Sequence, residues 1–348
     1  MRALWTAILV SFFTIFGISA VVYAVPTALK KKPVKAVIID TDMAIDDWMA
    51  ILYLLNHPGA DVKGITVTGT GEAYCKHGVD NALKLIKLAG KSNIPVACGR
   101  EETYPHGSTF PQKWRDQVNA LLDIELPAST EKPSKLNAVQ LLKTLTKDLP
   151  QKPLLLTLGP LTNIADAFEK YPELVHSFEH IYVMGGSLYA PGHVSLTEPG
   201  RVNDTAEWNI HVDPQAAHLV MESGAPITLV GLDATNHVRL NDAFYAQLQK
   251  DATTPSAKFV LDITTKKKEF VHSGGWYFWD PLAAAIMLDN NFATLEKHKI
   301  AVLVQPEKRA GQTVIANNGA PIRVAVEADA PRFYNHFLEV LNNRFTAN

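Results

Sequence analysis

The stretch AVIIDTDMAIDDW (36–48) decides how this chain folds. Its first five residues are an apolar, β-branched run that ends on a carboxylate, the pattern of a buried strand. Its last residue, Trp48, opens the run WMAILYLLN, which reads as a helix to Asn56. A buried strand that passes directly into a helix is the first half of a parallel α/β unit. The pattern then repeats toward the C-terminus. VKGITVTG (62–69) reads as a second strand, Gly78 to Leu88 as a helix, and PVACG (95–99) as a short strand. Pro150 to Leu158 is a strand backed by the helix LTNIADAFEKY (161–171), and HIYVMGG (180–186), PITLVGLD (226–233) and AVLVQ (301–305) continue the series. The expected fold is α/β: a single domain over 34–348 with a mainly parallel central sheet flanked by helices, open and Rossmann-like. Arg100 to Lys135, rich in Pro, Thr and charge, reads as long loops on the rim.

Composition narrows the function classes. With 348 residues, 47% of them hydrophobic, the chain can bury a large core, which excludes a disordered or disulfide-scaffold protein. A net charge of -2 gives no general attraction to nucleic acid or to an anionic membrane. Residues 1–24 stand apart, with Arg2 the one charge before Lys30 and Leu4 to Tyr23 almost wholly apolar. Val22-Tyr23-Ala24 fits a small-x-small cleavage site, so this segment reads as a secretory signal peptide cut after Ala24. An uncleaved membrane anchor is the alternative, and the membrane is a partner only in that case. Export makes a Cys75–Cys98 disulfide an option beside two separately buried thiols.

The chemistry concentrates in Asp40, Asp42, Asp46 and Asp47, four acids within eight residues. They lie at the carboxyl end of the first strand, where open parallel sheets bind their ligands. Such a cluster repels itself unless a cation or sugar hydroxyls hold it, and a hard divalent ion, Ca2+ or Mg2+, suits its oxygens. Capping of the Trp48 helix accounts for one or two of these acids and leaves the others unexplained. A phosphohydrolase with an Asp-x-Asp nucleophile motif fits poorly, because Ala44 stands where that motif has Thr or Val.

In its ordered motifs the chain resembles the inosine–uridine nucleoside hydrolases. DTDMAIDD (40–47) resembles their DTDPGxDD, and Leu158 to Asn163 their GPLTN turn. Met184-Gly185-Gly186, Ala206-Glu207-Trp208-Asn209, Asp213-Pro214 and Trp279-Asp280 follow in the family's order. The resemblance implies hydrolysis of the N-glycosidic bond of ribonucleosides to ribose and free base. It implies that Asp42, Asp47, Asp280 and the Leu158 carbonyl bind Ca2+, with Asp42 the general base toward water. Asp46, Glu207 and Asn209 would hold the ribose hydroxyls, with Asp40 behind them. Met184 reads as turn packing by itself and, through the family, as a neighbour of the ribose.

Many members carry His before the last metal Asp; this chain has Trp279, as does the purine-specific (inosine–adenosine–guanosine) branch. There the base stacks on indole, so Trp279 becomes one wall and Trp114, in FPQKWR (110–115), the candidate for the other. Trp276 adds an aromatic in SGGWYFW (273–279), a loop that Gly274 and Gly275 would let close over substrate, with His272 a proton donor through solvent. Glu72 faces the purine edge or begins the next helix. Arg201 occupies the family's sugar-binding Asn position, with Asn203 a nearby substitute. The family suggests a homodimer or homotetramer and a small-molecule nucleoside as partner, with no nucleic acid. A non-catalytic nucleoside-binding protein and a broad or pyrimidine-preferring hydrolase remain as alternatives.

Overall fold

The computed structural model describes residues 33–198, 200 and 202–346; the segment 1–24 expected to be a leader and Arg201 lie outside them. The strands are β1 (Lys35–Thr41), β2 (Ala60–Val67), β3 (Val96–Cys98), β4 (Leu154–Thr157), β5 (His180–Met184), β6 (Ile227–Val230), β7 (Ala293–Val302), β8 (Thr313–Ile315) and β9 (Ala320–Ala328). They form one sheet in the order β3-β2-β1-β4-β5-β6-β9-β7-β8. Every pairing from β3 across to β9 is parallel, and β7 and β8 close the edge antiparallel. The α/β fold with a mainly parallel sheet between helices is therefore as the sequence implies.

Alternation along β1 explains why both faces are covered. Val37 and Ile39 point into one apolar core with Trp48, Leu52 and Ile65, while Ile38 points into a second with Leu155, Ile164 and Val183. A strand with side chains in two cores is apolar throughout, which is why AVII reads as buried. Asp40 pairs with Thr66 of β2 and Thr157 of β4, so the acidic run emerges from the middle of the sheet.

The departures from expectation lie at the edge and the rim. β7 begins at Ala293, well before the expected AVLVQ, and ends at Val302. Its Glu296, Lys297, His298 and Lys299 face solvent in whole or part, so its pattern is not that of a buried strand. β9, which pairs with β6 on one side and β7 on the other, has no counterpart in the sequence reading. Within the expected rim loop, Gln112–Asn119 forms a helix. Cys75 and Cys98 are bonded, with Cα atoms 5.6 Å apart, and clip the start of helix Cys75–Leu88 to the end of β3. No helix among the described residues is long and apolar enough to cross a membrane.

Candidate active site

β1 ends at Thr41, and the chain turns into helix Ile45–Asn56 through Met43, whose φ is +60°. Asp47 organises that turn. Its Oδ1 accepts from the Thr41 hydroxyl and from the backbone N–H groups of Asp42 and Met43, each at 3.2 Å. The carboxylate thus serves the loop before the helix rather than capping the helix itself. Asp42 is fixed as tightly, its Oδ1 accepting from Ala44 N at 3.3 Å and its Oδ2 from Glu72 N at 3.1 Å. Two glycines make room for it: a Cβ at Gly71 would fall 2.0 Å from the Asp42 Cβ, and one at Gly159 would fall 2.6 Å from it. Asp40 lies behind, its Oδ1 accepting from Thr66 Oγ1 at 2.5 Å and Asn163 Nδ2 at 2.7 Å.

Asp46, Asp47 and Asp280 bring carboxylate oxygens within 4.8 Å of one another. Asp280 arrives from the first turn of helix Trp279–Leu288, with Pro281 after it. Both its oxygens and Asp47 Oδ2 are buried with no hydrogen-bond partner, so Asp280 does not cap its helix. Burial, then repulsion from the neighbouring acids, lifts Asp280 and Asp47 well above the usual carboxylate range. Asp46 is pushed up to about 7 and Asp42 to about 6, mainly by burial. Unpartnered, converging, oxygen-only donors in an anionic cluster fit a hard cation. Asp42 is not among the three converging groups, but its backbone N–H donates to Asp47 Oδ1 beside them. The Leu158 carbonyl accepts from Asn209 Nδ2 at 3.1 Å.

Above this floor opens a cavity of about 420 Å³. The residues expected at the metal, the ribose and the base line it. Asp42, Asp46, Asp47, Leu158 and Asp280 form one end, and Met184, Glu207 and Asn209 flank them. Glu72, Trp114 and Trp279 complete the set. Glu207 caps helix Trp208–Val212, accepting from Asn209 N at 2.9 Å and Ile210 N at 3.1 Å, and also binds Gly186 N at 3.1 Å. It therefore ties the end of β5 to the AEWN segment. Burial raises it to about 7. Asn209 Nδ2 also donates to the Met184 carbonyl at 3.3 Å, so Met184 is part of this junction.

The far wall is aromatic. Trp114 packs with Phe110 and Trp208 at centroid distances of 6.3 and 5.3 Å. Trp279 stands 5.7 Å from Tyr277 and 6.0 Å from His193, and its indole nitrogen has no partner. Glu72 faces the cavity, and the helix after it starts only at Cys75. Trp276 lines the cavity as a further aromatic; it is 1% exposed and stacked on Phe270 at 5.4 Å, and its carbonyl accepts from Leu240 N. Two expectations are corrected. His272 lies outside the cavity, paired with Asp242. Asn203 is no sugar contact: its side chain binds Thr205 N, Ala206 N and the Ala310 carbonyl and holds its own loop.

The sequence reading missed Phe110, Gln117, Val118, His193, Lys267 and Phe270 as lining residues. A faint signal existed for one of them. Val118 lies four residues after Trp114 on helix Gln112–Asn119, so the two share a face.

A parallel α/β sheet whose carboxyl edge carries a cation-fitting acidic floor under an aromatic wall defines an enzyme acting on a small, partly apolar molecule. The chain matches the inosine-uridine preferring nucleoside hydrolases over residues 37–335, and it belongs to that family. It is similar to uridine nucleosidase 1 of Arabidopsis thaliana, with 32% identity over 77% of this chain and 78% of that one. It is 28% identical to the pyrimidine-specific ribonucleoside hydrolase RihA of Photobacterium profundum, covering 89% of this chain and 98% of the other. The purine-preferring ribonucleoside hydrolase from Gardnerella vaginalis superposes with a TM-score of 0.76 at 29% identity, covering 89% of this chain and 99% of that one.

Proposed function

We propose that this ribonucleoside hydrolase is Ca2+-dependent and prefers purine nucleosides. One observation carries the reading: unpartnered carboxylate oxygens and an indole wall line the same cavity, with Trp279 directly before Asp280. Asp47 and Asp280 would hold the ion, joined by Asp42 and the Leu158 carbonyl. When bound, Ca2+ supplies Lewis acidity that makes a neighbouring water easier to deprotonate. Asp42 takes that proton; burial brings its pKa to about 6, near the value a general base needs at neutral pH. Asp46, Glu207 and Asn209 orient the ribose, and Met184 packs beside it. The departing base lies against Trp279, with Trp114 on the opposite side and Glu72 toward its edge.

A second reading, preference for pyrimidines, draws on the similar proteins named as uridine nucleosidase and pyrimidine-specific hydrolase. Specificity constants for inosine, adenosine, guanosine, uridine and cytidine separate the two. Purines ahead by ten-fold or more, on the order of one good stacking contact, support the first reading; uridine or cytidine ahead supports the second. Export belongs to the same proposal, with residues 1–24 removed as a leader. The Cys75–Cys98 bond favours it, since disulfides persist in oxidising compartments. N-terminal sequencing of the protein recovered outside the cytoplasm tests it, a start after Ala24 being the expected result.

A further inference from the structure

His193 is the one histidine among the described residues that lines the cavity. It stands at the aromatic end, its ring 6.0 Å from the Trp279 ring at an interplanar angle of 72°. A base laid parallel to the indole therefore has its plane steeply inclined to the imidazole, which is not oriented to stack on it. Its Nδ1 is buried with no hydrogen-bond partner, the condition of a polar group that something else satisfies.

The segment that carries it, from Gly186 to Ala206, is held at several points. Asp233 accepts from Leu188, Tyr189 and Ala190 N at 2.8, 2.7 and 2.8 Å. His193 N donates to the Ala206 carbonyl at 3.1 Å. Thr197, one turn on, accepts at 2.7 Å from the indole N–H of Trp208, itself a wall of the cavity. The imidazole is thus built into a fixed place beside the base-binding wall.

We propose that His193 hydrogen-bonds the leaving base and stabilises the charge it takes up. The inference rests on the nucleoside hydrolase reading above. The C1′–N bond breaks with its electron pair on the base, while the water oxygen bonds to C1′ and its proton passes to Asp42. The imidazole N–H meets the ring nitrogen or carbonyl on which the negative charge develops. The imidazole begins and ends the step neutral, and the proton held by Asp42 returns to the free base through solvent. Burial alone lowers the His193 pKa to about 4, so at neutral pH the ring is uncharged, with one N–H to donate and one nitrogen to accept. In this way the chain does without a histidine at position 279: the donor comes from the segment before AEWN instead of from the residue before the metal carboxylate.

The test compares two leaving groups. Inosine and adenosine release a base that needs stabilisation, whereas 4-nitrophenyl β-D-ribofuranoside releases an anion that leaves unaided. His193→Ala is expected to lower kcat on the nucleosides by about 100-fold, at the low end of what a positioned acid–base group contributes. On the nitrophenyl riboside it is expected to change kcat by less than about 3-fold, because the same donor has little to do there. His193→Gln, which keeps a donor, is expected to recover part of the nucleoside rate. Equal losses on both substrates, or none on either, would overturn the assignment. Wild-type protein that cleaves neither class overturns the nucleoside hydrolase reading itself, a different result from wild-type turnover that His193→Ala leaves unaltered or reduces evenly.

Discussion

The two ends of the cavity are built in opposite ways. The acidic floor comes largely from eight consecutive residues at the end of the central strand, and backbone N–H groups hold both oxygens of Asp42 and one of Asp47. The aromatic wall is assembled from segments far apart in sequence: Trp114 on a rim helix, His193 and Trp208 around the β5 connection, and Trp279 before the last carboxylate. The floor sits where the sheet cannot shift without disrupting two cores, while the wall sits on connections that can vary without touching the sheet. Reaction chemistry and substrate choice are thereby separated in the structure, and substitutions at the two ends should differ in kind.

The largest effect is expected at the floor. Asp280→Asn removes charge from the group with two unpartnered oxygens. It should weaken Ca2+ binding and lower kcat by at least ~100-fold, since even outer partners of a metal site cost 10–100-fold. Calorimetric titration and steady-state rates check both. The same titration has a pH signature. In the metal-free site burial and mutual repulsion raise Asp47 and Asp280 well above the usual range and burial takes Asp46 to about 7. These groups hold protons near neutral pH that a cation must displace. Affinity should therefore rise with pH through 7, and binding should release protons, seen as a dependence of the heat on buffer ionisation enthalpy.

Next comes a change that replaces no ligand. Gly159→Ala would set a Cβ 2.6 Å from the Asp42 Cβ. Displacing Asp42 by about 1 Å should lower kcat by about 100-fold, with KM changed far less. At the wall, Trp279→Ala should raise KM for purine nucleosides about ten-fold, the worth of an aromatic stack, while leaving the nitrophenyl riboside kcat largely intact. A kcat collapse on both substrates would erase the distinction between the two ends. The smallest catalytic effect belongs to the disulfide. Paired Cys75→Ser and Cys98→Ser changes should cost about 3 kcal/mol of stability for a loop of this length, seen as a lower Tm, with kcat nearly unchanged.

The same contrast decides what could be read from the sequence. A contiguous acidic run after AVIID announces both its strand and its chemistry, so the centre of the sheet and the floor were legible. Asp280, Glu207 and Asn209 are individually ordinary and became legible only through their order in the family's motifs. Helix Gln112–Asn119 was hidden because only Trp114 and Val118 are apolar in an otherwise polar octapeptide. β7 was hidden because Glu296 to Lys299 interrupt any apolar run, these residues meeting solvent in whole or part. β9 was missed although its Val324 and Ala325 are fully buried, and it pairs with β6 some ninety residues earlier. His193 carried no local signal, since its meaning depends on a fold that brings it to Trp279.

The central claim is that the acidic floor must hold a cation for a base to leave. Chromatography of products tests this most directly, with inosine and uridine incubated in the presence of Ca2+ or of excess chelator. The account predicts free base and ribose with Ca2+, loss of both with chelator, and recovery on adding the ion back. Undiminished base release from the fully chelated protein would contradict it.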